Sequence, residues 1–88
     1  MLIKTTKAFE KDLMRMQKRG KDISKVEHIV KLLANNDALQ AKYRDHKLSG
    51  NYQNLRECHI EPDWLLIYEN HNNILYLTRT GTHSDLFK

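Results

Sequence analysis

Eighty-eight residues make a single domain, 1–88, with no room for a second core. A 40% apolar share supports a compact fold of modest stability, and the single cysteine, Cys58, excludes an internal disulfide and fits a reducing cytoplasm. Leu2 and Ile3 are followed at once by Lys4, and no apolar run approaches the roughly 20 residues that span a bilayer, so a soluble cytoplasmic protein without a membrane role is expected. The formal net charge of +4 is unevenly spread: residues 1–47 hold twelve Lys/Arg against six Asp/Glu, and residues 48–88 three against five. A basic half beside a mildly acidic one suggests a face for an anion, with nucleic acid foremost, although lysine-rich helix surfaces are also common without one.

Leu2 to Thr5 can start a short strand. From Lys7 to Arg19, Phe9, Leu13 and Met16 recur at i, i+4 and i+7, which predicts an amphipathic helix ended by Gly20. A second helix is predicted from about Asp22, its N-cap, to Ala34, with Ile23, Val26, Ile29, Val30 and Leu33 on one stripe and Asn35-Asn36-Asp37 as the stop. The two form a helical hairpin. Lys11, Arg15, Lys18, Lys25 and Lys31 lie off the apolar stripes and should be exposed.

The period then changes. Asn51–Ile60, Trp64–Glu69 and Ile74–Thr80 read as strands, separated by turns at Glu61-Pro62-Asp63 and Asn70-His71-Asn72-Asn73. Such short connections predict an antiparallel meander. Leu65-Leu66-Ile67-Tyr68 does not alternate, so it should be a central strand covered on both faces. The fold class is α+β: a short N-terminal strand, a two-helix hairpin, then three strands, with the helices packed on a four-stranded sheet.

Of five histidines, His28 on the second helix and His71 in a turn read as exposed polar residues. His46 enters the sheet, His59 ends the first meander strand and His83 follows the last. In a meander these positions can converge on one rim, with Asp63 beside them. Three imidazoles and a carboxylate suit zinc, or they suit metal-free RNA cleavage, in which one group takes the 2′-hydroxyl proton and another protonates the leaving 5′ oxygen. The separations are 13, 4 and 20 residues, with no C-x-x-C and no H-E-x-x-H, and this favours acid–base chemistry with no metal and no cofactor. Taken singly, His59 also reads as a cross-strand hydrogen-bonding residue and His83 as a turn cap.

Three strings carry a resemblance. Asp45-His46-Lys47-Leu48-Ser49-Gly50 resembles the D-H-x-L-x-G lead-in of YafQ-like toxins in the RelE/ParE superfamily. Residues 56–68, from Arg56-Glu57-Cys58-His59 through Pro62-Asp63-Trp64 to Tyr68, are similar to that group's R-[DE]-x-H-[IV]-x-P-D-[WV]-[IL]-L-[IV]-Y block. Arg79-Thr80-Gly81-Thr82-His83-Ser84-Asp85-Leu86-Phe87 matches its C-terminal R-x-G-[ST]-H-x-x-L-F. The resemblance covers essentially the whole chain and implies a RelE-like fold. It implies His46, His59, Asp63 and His83 as the catalytic set and Phe87 as an aromatic that stacks on a base of the message. It further implies Glu57 as a supporting acid, and Arg56 and Arg79 as phosphate contacts. The function implied is an endoribonuclease that cuts mRNA in the ribosomal 30S A site, against 16S rRNA, leaving a 2′,3′-cyclic phosphate and a 5′-hydroxyl. A cognate antitoxin would neutralise it. Lys11, Arg15, Lys18, Lys25 and Lys31 would then dock the ribosome. The competing readings are a non-catalytic ParE-like inhibitor that binds a topoisomerase, and a basic RNA-binding domain with an incidental histidine cluster.

Overall fold

The computed structural model describes residues 1–50 and 54–87. In chain order it comprises β1 (Leu2–Thr5), α1 (Lys7–Lys18), α2 (Ser24–Ala34), a 3-10 turn at Ala41–Tyr43, β2 (His46–Lys47), β3 (Arg56–Glu61), β4 (Trp64–His71), β5 (Ile74–Gly81) and α3 (His83–Leu86). The strands form one sheet in the order β1-β5-β4-β3-β2, with β1 parallel to β5 and every other pair antiparallel. The sheet therefore has five strands where four were expected. The extra one is the two-residue β2, too short to show a period in sequence; it pairs His46 with Glu57 and Lys47 with Arg56. The first meander strand begins at Arg56, later than the predicted start, whose residues 51–53 lie outside the described residues.

Local chemistry sets the boundaries. Thr6 caps α1: its hydroxyl accepts from the Phe9 amide and donates to the Thr78 carbonyl, so one side chain starts the helix and ties it to β5. Past Lys18 the chain turns through Gly20 at φ +84°, and the Lys21 amide closes back on the Met16 carbonyl. Asp22 acts one residue earlier than a standard N-cap. Its carboxylate accepts from the Ser24 amide and hydroxyl, and Ile23 occupies the cap position itself. The β4–β5 hairpin turns on Asn72 and Asn73, both at positive φ, as a two-residue turn matched to strand twist requires.

The core lies between the helices and one face of the sheet. Phe9, Met16, Val26, Ile29 and Leu33 pack with Cys58, Ile60, Trp64, Leu66, Tyr68, Leu75 and Leu77. On α1 the buried set is Phe9, Asp12 and Met16, with Leu13 only half-buried. Asp12 can occupy a core position because it is fully partnered: its oxygens accept from the Arg79 guanidinium at 2.6 and 3.1 Å and from the Thr80 amide at 3.1 Å. Trp64 is buried with its indole N–H donating to the Thr80 hydroxyl, which donates onward to the Leu65 carbonyl. The central strand is buried over Trp64–Tyr68 as expected; Leu65 and Ile67 face away from the main core, flanked by His59 and Gly81 and by Glu57 and Arg79. Burial pushes the Cys58 thiol up to about 12, which makes it an inert apolar filler. Among the described residues no helix is long and apolar enough to cross a membrane.

Candidate active site

Alternation along β3 builds the site's floor. Cys58 and Ile60 turn into the core, so Glu57 and His59 turn to the opposite face. Pairing across β2 sets His46 beside Glu57, and pairing across β4 and β5 lines up His59, Leu65 and Gly81, two residues before His83. A register shift between His59 and Glu61 ends the β3–β4 ladder where the turn brings in Asp63. All four residues singled out from spacing therefore meet on one rim, with Glu57 among them.

The arrangement is a row. The His46 and His59 ring centroids are 6.5 Å apart, and those of His59 and His83 are 5.7 Å apart. Glu57, buried, lies between the first two, with one oxygen 3.5 Å from His46 Nε2 and the other 3.4 Å from His59 Nε2. His59 is recessed, its side chain 11% exposed, whereas those of His46 and His83 are about half exposed, at 51% and 53%.

Each ring is held by the same nitrogen. His46 Nδ1 lies 2.6 Å from the Arg44 carbonyl, His59 Nδ1 lies 3.3 Å from the Pro62 carbonyl, and His83 Nδ1 lies 2.5 Å from Asp63 Oδ1. A carbonyl or carboxylate only accepts, so Nδ1 is the protonated nitrogen in all three; Nε2 of His46 and of His59 faces the Glu57 carboxylate, and Nε2 of His83 is the one turned to no such partner among the described residues. Asp63 also accepts from the His83 amide. That backbone hydrogen bond, with the one from the His83 ring, holds the Asp63 carboxyl below the usual carboxylate range. The stabilisation this contributes is present above the carboxyl's unfolded pKa. It is lost only as the pH falls through the depressed folded value, so the anchor is intact at neutral and mildly acidic pH.

The scaffold beneath uses residues that the sequence reading passed over. His83 opens α3, whose N-cap Thr82 and Asp85 make a reciprocal capping box, a T-x-x-D signal visible in residues 82–85. The Arg19 guanidinium grips Asp85 at 2.7 and 3.1 Å and holds its carboxyl well below the usual range, tying α3 to α1. Gly81 is where α3 folds back: a Cβ there would lie 3.0 Å from Asp85 Cβ and Oδ2, so a side chain would fit only if Asp85 moved. At the other end, Asp45 Oδ1 accepts from the Tyr68 hydroxyl at 2.5 Å and from Arg56 Nε at 3.3 Å, fixing the segment that carries His46. Burial, and then this bond to Asp45, raise the Tyr68 hydroxyl far above its ordinary pKa.

Other expected residues fall in different places. Arg56 is engaged by Asp45 and Tyr68, and Arg79 by Asp12, so the two proposed phosphate contacts are both already partnered, with about a third of each side chain still exposed. Phe87, 37% exposed, follows α3, and its amide donates to the His83 carbonyl. Lys11, Arg15, Lys18, Lys25 and Lys31 are all exposed, as expected. Lys25, however, pairs with Glu61 and borders a groove that reaches His59, so it is not remote from the row.

A divalent ion has a possible seat here. One donor atom each from Glu57, His59 and His83 lie within 4.8 Å of one another, and the Asp63 carboxylate behind His83 is the kind of outer partner that orients a metal-bound imidazole. The donor set fits a metal as well as it fits proton transfer.

Comparison with known proteins bears on that choice of chemistries. Residues 1–88 match the family described as a bacterial toxin of type II toxin–antitoxin systems, YafQ. The mRNA interferase toxin YafQ of Escherichia coli K12 is 45% identical over 80 residues, which is 90% of this chain and 87% of that protein. The E. coli DinJ–YafQ complex superposes with a TM-score of 0.91 at 42% identity, covering 98% of this chain and 97% of that one. A metal-bound toxin from Helicobacter pylori superposes with a TM-score of 0.93 at 43% identity over 99% of both chains. Full-length agreement in sequence and in fold, with RelE-like architecture throughout, leads to one conclusion: the chain belongs to the YafQ family of toxins of type II toxin–antitoxin systems.

Proposed function

We propose that this protein is an mRNA endoribonuclease that acts in the ribosomal A site by metal-independent acid–base attack of the 2′-hydroxyl, and that a cognate antitoxin, as DinJ is to YafQ, neutralises it. The observation that carries the reading is the common anchoring of three imidazoles through Nδ1 in one row. In-line displacement needs a base on one side of the phosphorus and an acid on the other, and a row with two exposed outer rings supplies both. His46 is the base that takes the 2′-hydroxyl proton. His83 is the acid that delivers a proton to the leaving 5′ oxygen. His59, recessed between them, orients the phosphate, Glu57 holds the His46 and His59 rings, and Asp63 holds His83. The charge accumulating on the phosphate requires a cationic partner, for which the exposed remainder of Arg79 is available. Four chemistry-bearing groups brought to one rim favour an enzyme over a ParE-like inhibitor, which has no use for them. A basic chain of this size offers little surface to align a flexible strand, and the ribosome, which presents the message, would supply that alignment.

The metal alternative rests on the Glu57, His59 and His83 trio. An ion seated there takes up donor atoms of His59 and His83 and removes them from proton transfer. Cleavage of mRNA on programmed ribosomes should therefore be unchanged by a zinc-selective chelator, with magnesium kept for the ribosome, and should be slowed by added zinc. Loss of activity on chelation, restored by zinc, would establish the metal reading instead.

Asp63→Asn should lower the single-turnover rate by up to about 10⁴, the scale of replacing by an amide the carboxylate that fixes a catalytic imidazole. The amide can still accept from the His83 backbone, so folding should be little affected. A wild-type rate for this variant at pH 7 would show that His83 needs no anchor.

A further inference from the structure

Beside His59 runs a groove of about 680 Å³, bounded by α2, the 3-10 turn and the β3–β4 turn. The buried Ile29 and Ile60 line it, with Pro62 also at its wall. Its rim is cationic: Lys25, Lys42 and Arg44 border it, with His28 beside them. The one carboxylate there, Glu61, is already bridged by Lys21 at 2.8 Å and Lys25 at 2.7 Å, so it does not cancel the others. Lys42 lies 5.1 Å from the centre of the Tyr43 ring, and neither Lys42 nor Arg44 has a carboxylate partner among the described residues. Arg44 is also held at φ +48°, an unfavourable conformation for a residue with a side chain. That conformation serves two ends at once: the carbonyl anchors His46, and the side chain borders the groove.

We propose that this groove is a nucleotide subsite, holding the unpaired nucleotide immediately 5′ of the cut. The proposal rests on the mRNA-cleavage reading above. The volume lies within the range of small-ligand pockets and suits one nucleotide. The apolar interior suits a base, and the Lys42 and Arg44 cations suit its phosphate. Continuity gives the polarity of the strand. The groove is bordered by His59 and by Arg44, whose carbonyl anchors His46, and by none of His46, His83 and Phe87. Arg44 ties the groove to the His46 ring, so the nucleotide assigned to it is the one whose 2′-hydroxyl faces His46, with the strand 3′ of the cut leaving past His83.

The test uses programmed ribosomes with two messages, one intact and one with an abasic ribose, 2′-hydroxyl retained, at the nucleotide 5′ of the cut. Wild-type protein should cleave the abasic message on the order of tenfold more slowly, the scale of losing one base contact. His28→Ala, an exposed position outside the catalytic row whose ring borders the groove and can stack on the base, should slow cleavage of the intact message and respond little to the abasic change, because the base contact is already gone. An equal abasic penalty in wild type and variant would overturn the proposal, as would a variant that cleaves normally but no longer binds antitoxin, which would give the groove to the partner protein. Failure of wild type to cleave even the intact message would instead refute the cleavage reading, and the subsite with it.

Discussion

Single-turnover cleavage by His46→Ala or His83→Ala should fall by roughly 10²–10⁴ on saturating programmed ribosomes, the usual contribution of one positioned acid or base. Both rings are about half exposed at opposite ends of the row with Nδ1 committed elsewhere, and Nε2 of His46 lies 3.5 Å from the Glu57 carboxylate. Neither side chain is buried, so alanine should leave the fold intact and the loss should be one of rate. His71→Ala, at the exposed end of β4 and not in the turn that the sequence suggested, is the matching control and should cleave as wild type does. The acid and base roles also predict different rescue. A substrate with a better leaving group in place of the 5′ oxygen should largely restore the variant lacking the acid and do little for the one lacking the base. A near-wild-type rate in either variant removes that residue from the mechanism, and rescue of the His46 variant in place of the His83 variant exchanges their roles.

Charge reversal at Lys11, Lys18 and Lys31 should weaken ribosome binding on the order of a hundredfold at moderate salt and flatten its salt dependence, while leaving the saturated single-turnover rate largely intact. These three are exposed, lie on the two long helices and have no carboxylate partner among the described residues. Lys25 is left out because it holds Glu61 and borders the groove at His59, so reversing it would mix docking with the site. Phe87→Ala should do the opposite: bind ribosomes almost normally and lose on the order of tenfold in saturated rate, since an aromatic ring on a base aligns the nucleotide for attack. Its place one residue past α3, on the helix that His83 opens, puts it at the departing end of the row. Lysine variants that bind normally yet cleave slowly would show that the basic helical face is part of the reacting site.

Much of this was legible from pattern. The change of period after residue 50 separated helices from strands, and the unbroken apolar run Leu65–Tyr68 marked the central strand. His46, His59, Asp63 and His83 stood out because the ends of antiparallel strands meet on a rim. What was illegible was what holds them. Asp12 occupies a core position on α1, where a search for apolar residues passes over a carboxylate, and its partners Arg79 and Thr80 are more than sixty residues away. Asp45, Tyr68 and Arg56 become one network only when β2 pairs with β3, and a two-residue strand carries no period. The ion-pair partners of Arg56 and Arg79 were illegible because an arginine's partner is set by tertiary contact, not by its neighbours in sequence. The capping box at Thr82 and Asp85 was visible, but its consequence, the fixed placement of His83, depends on Arg19 reaching across from α1.

The chemistry at the termini of the cut message tests the central claim most directly. Mass spectrometry of the fragments from a programmed ribosome, cut in the presence of a zinc-selective chelator, distinguishes the two ways of breaking the bond. Attack by the 2′-hydroxyl under imidazole acid–base catalysis leaves a 2′,3′-cyclic phosphate on the upstream fragment and a 5′-hydroxyl on the downstream one. A message with a single 2′-deoxy residue at the cut should not be cleaved there at all. A 5′-phosphate on the downstream fragment, or cleavage of the deoxy-substituted bond, would mean that water is the nucleophile and that the row of histidines serves a different reaction.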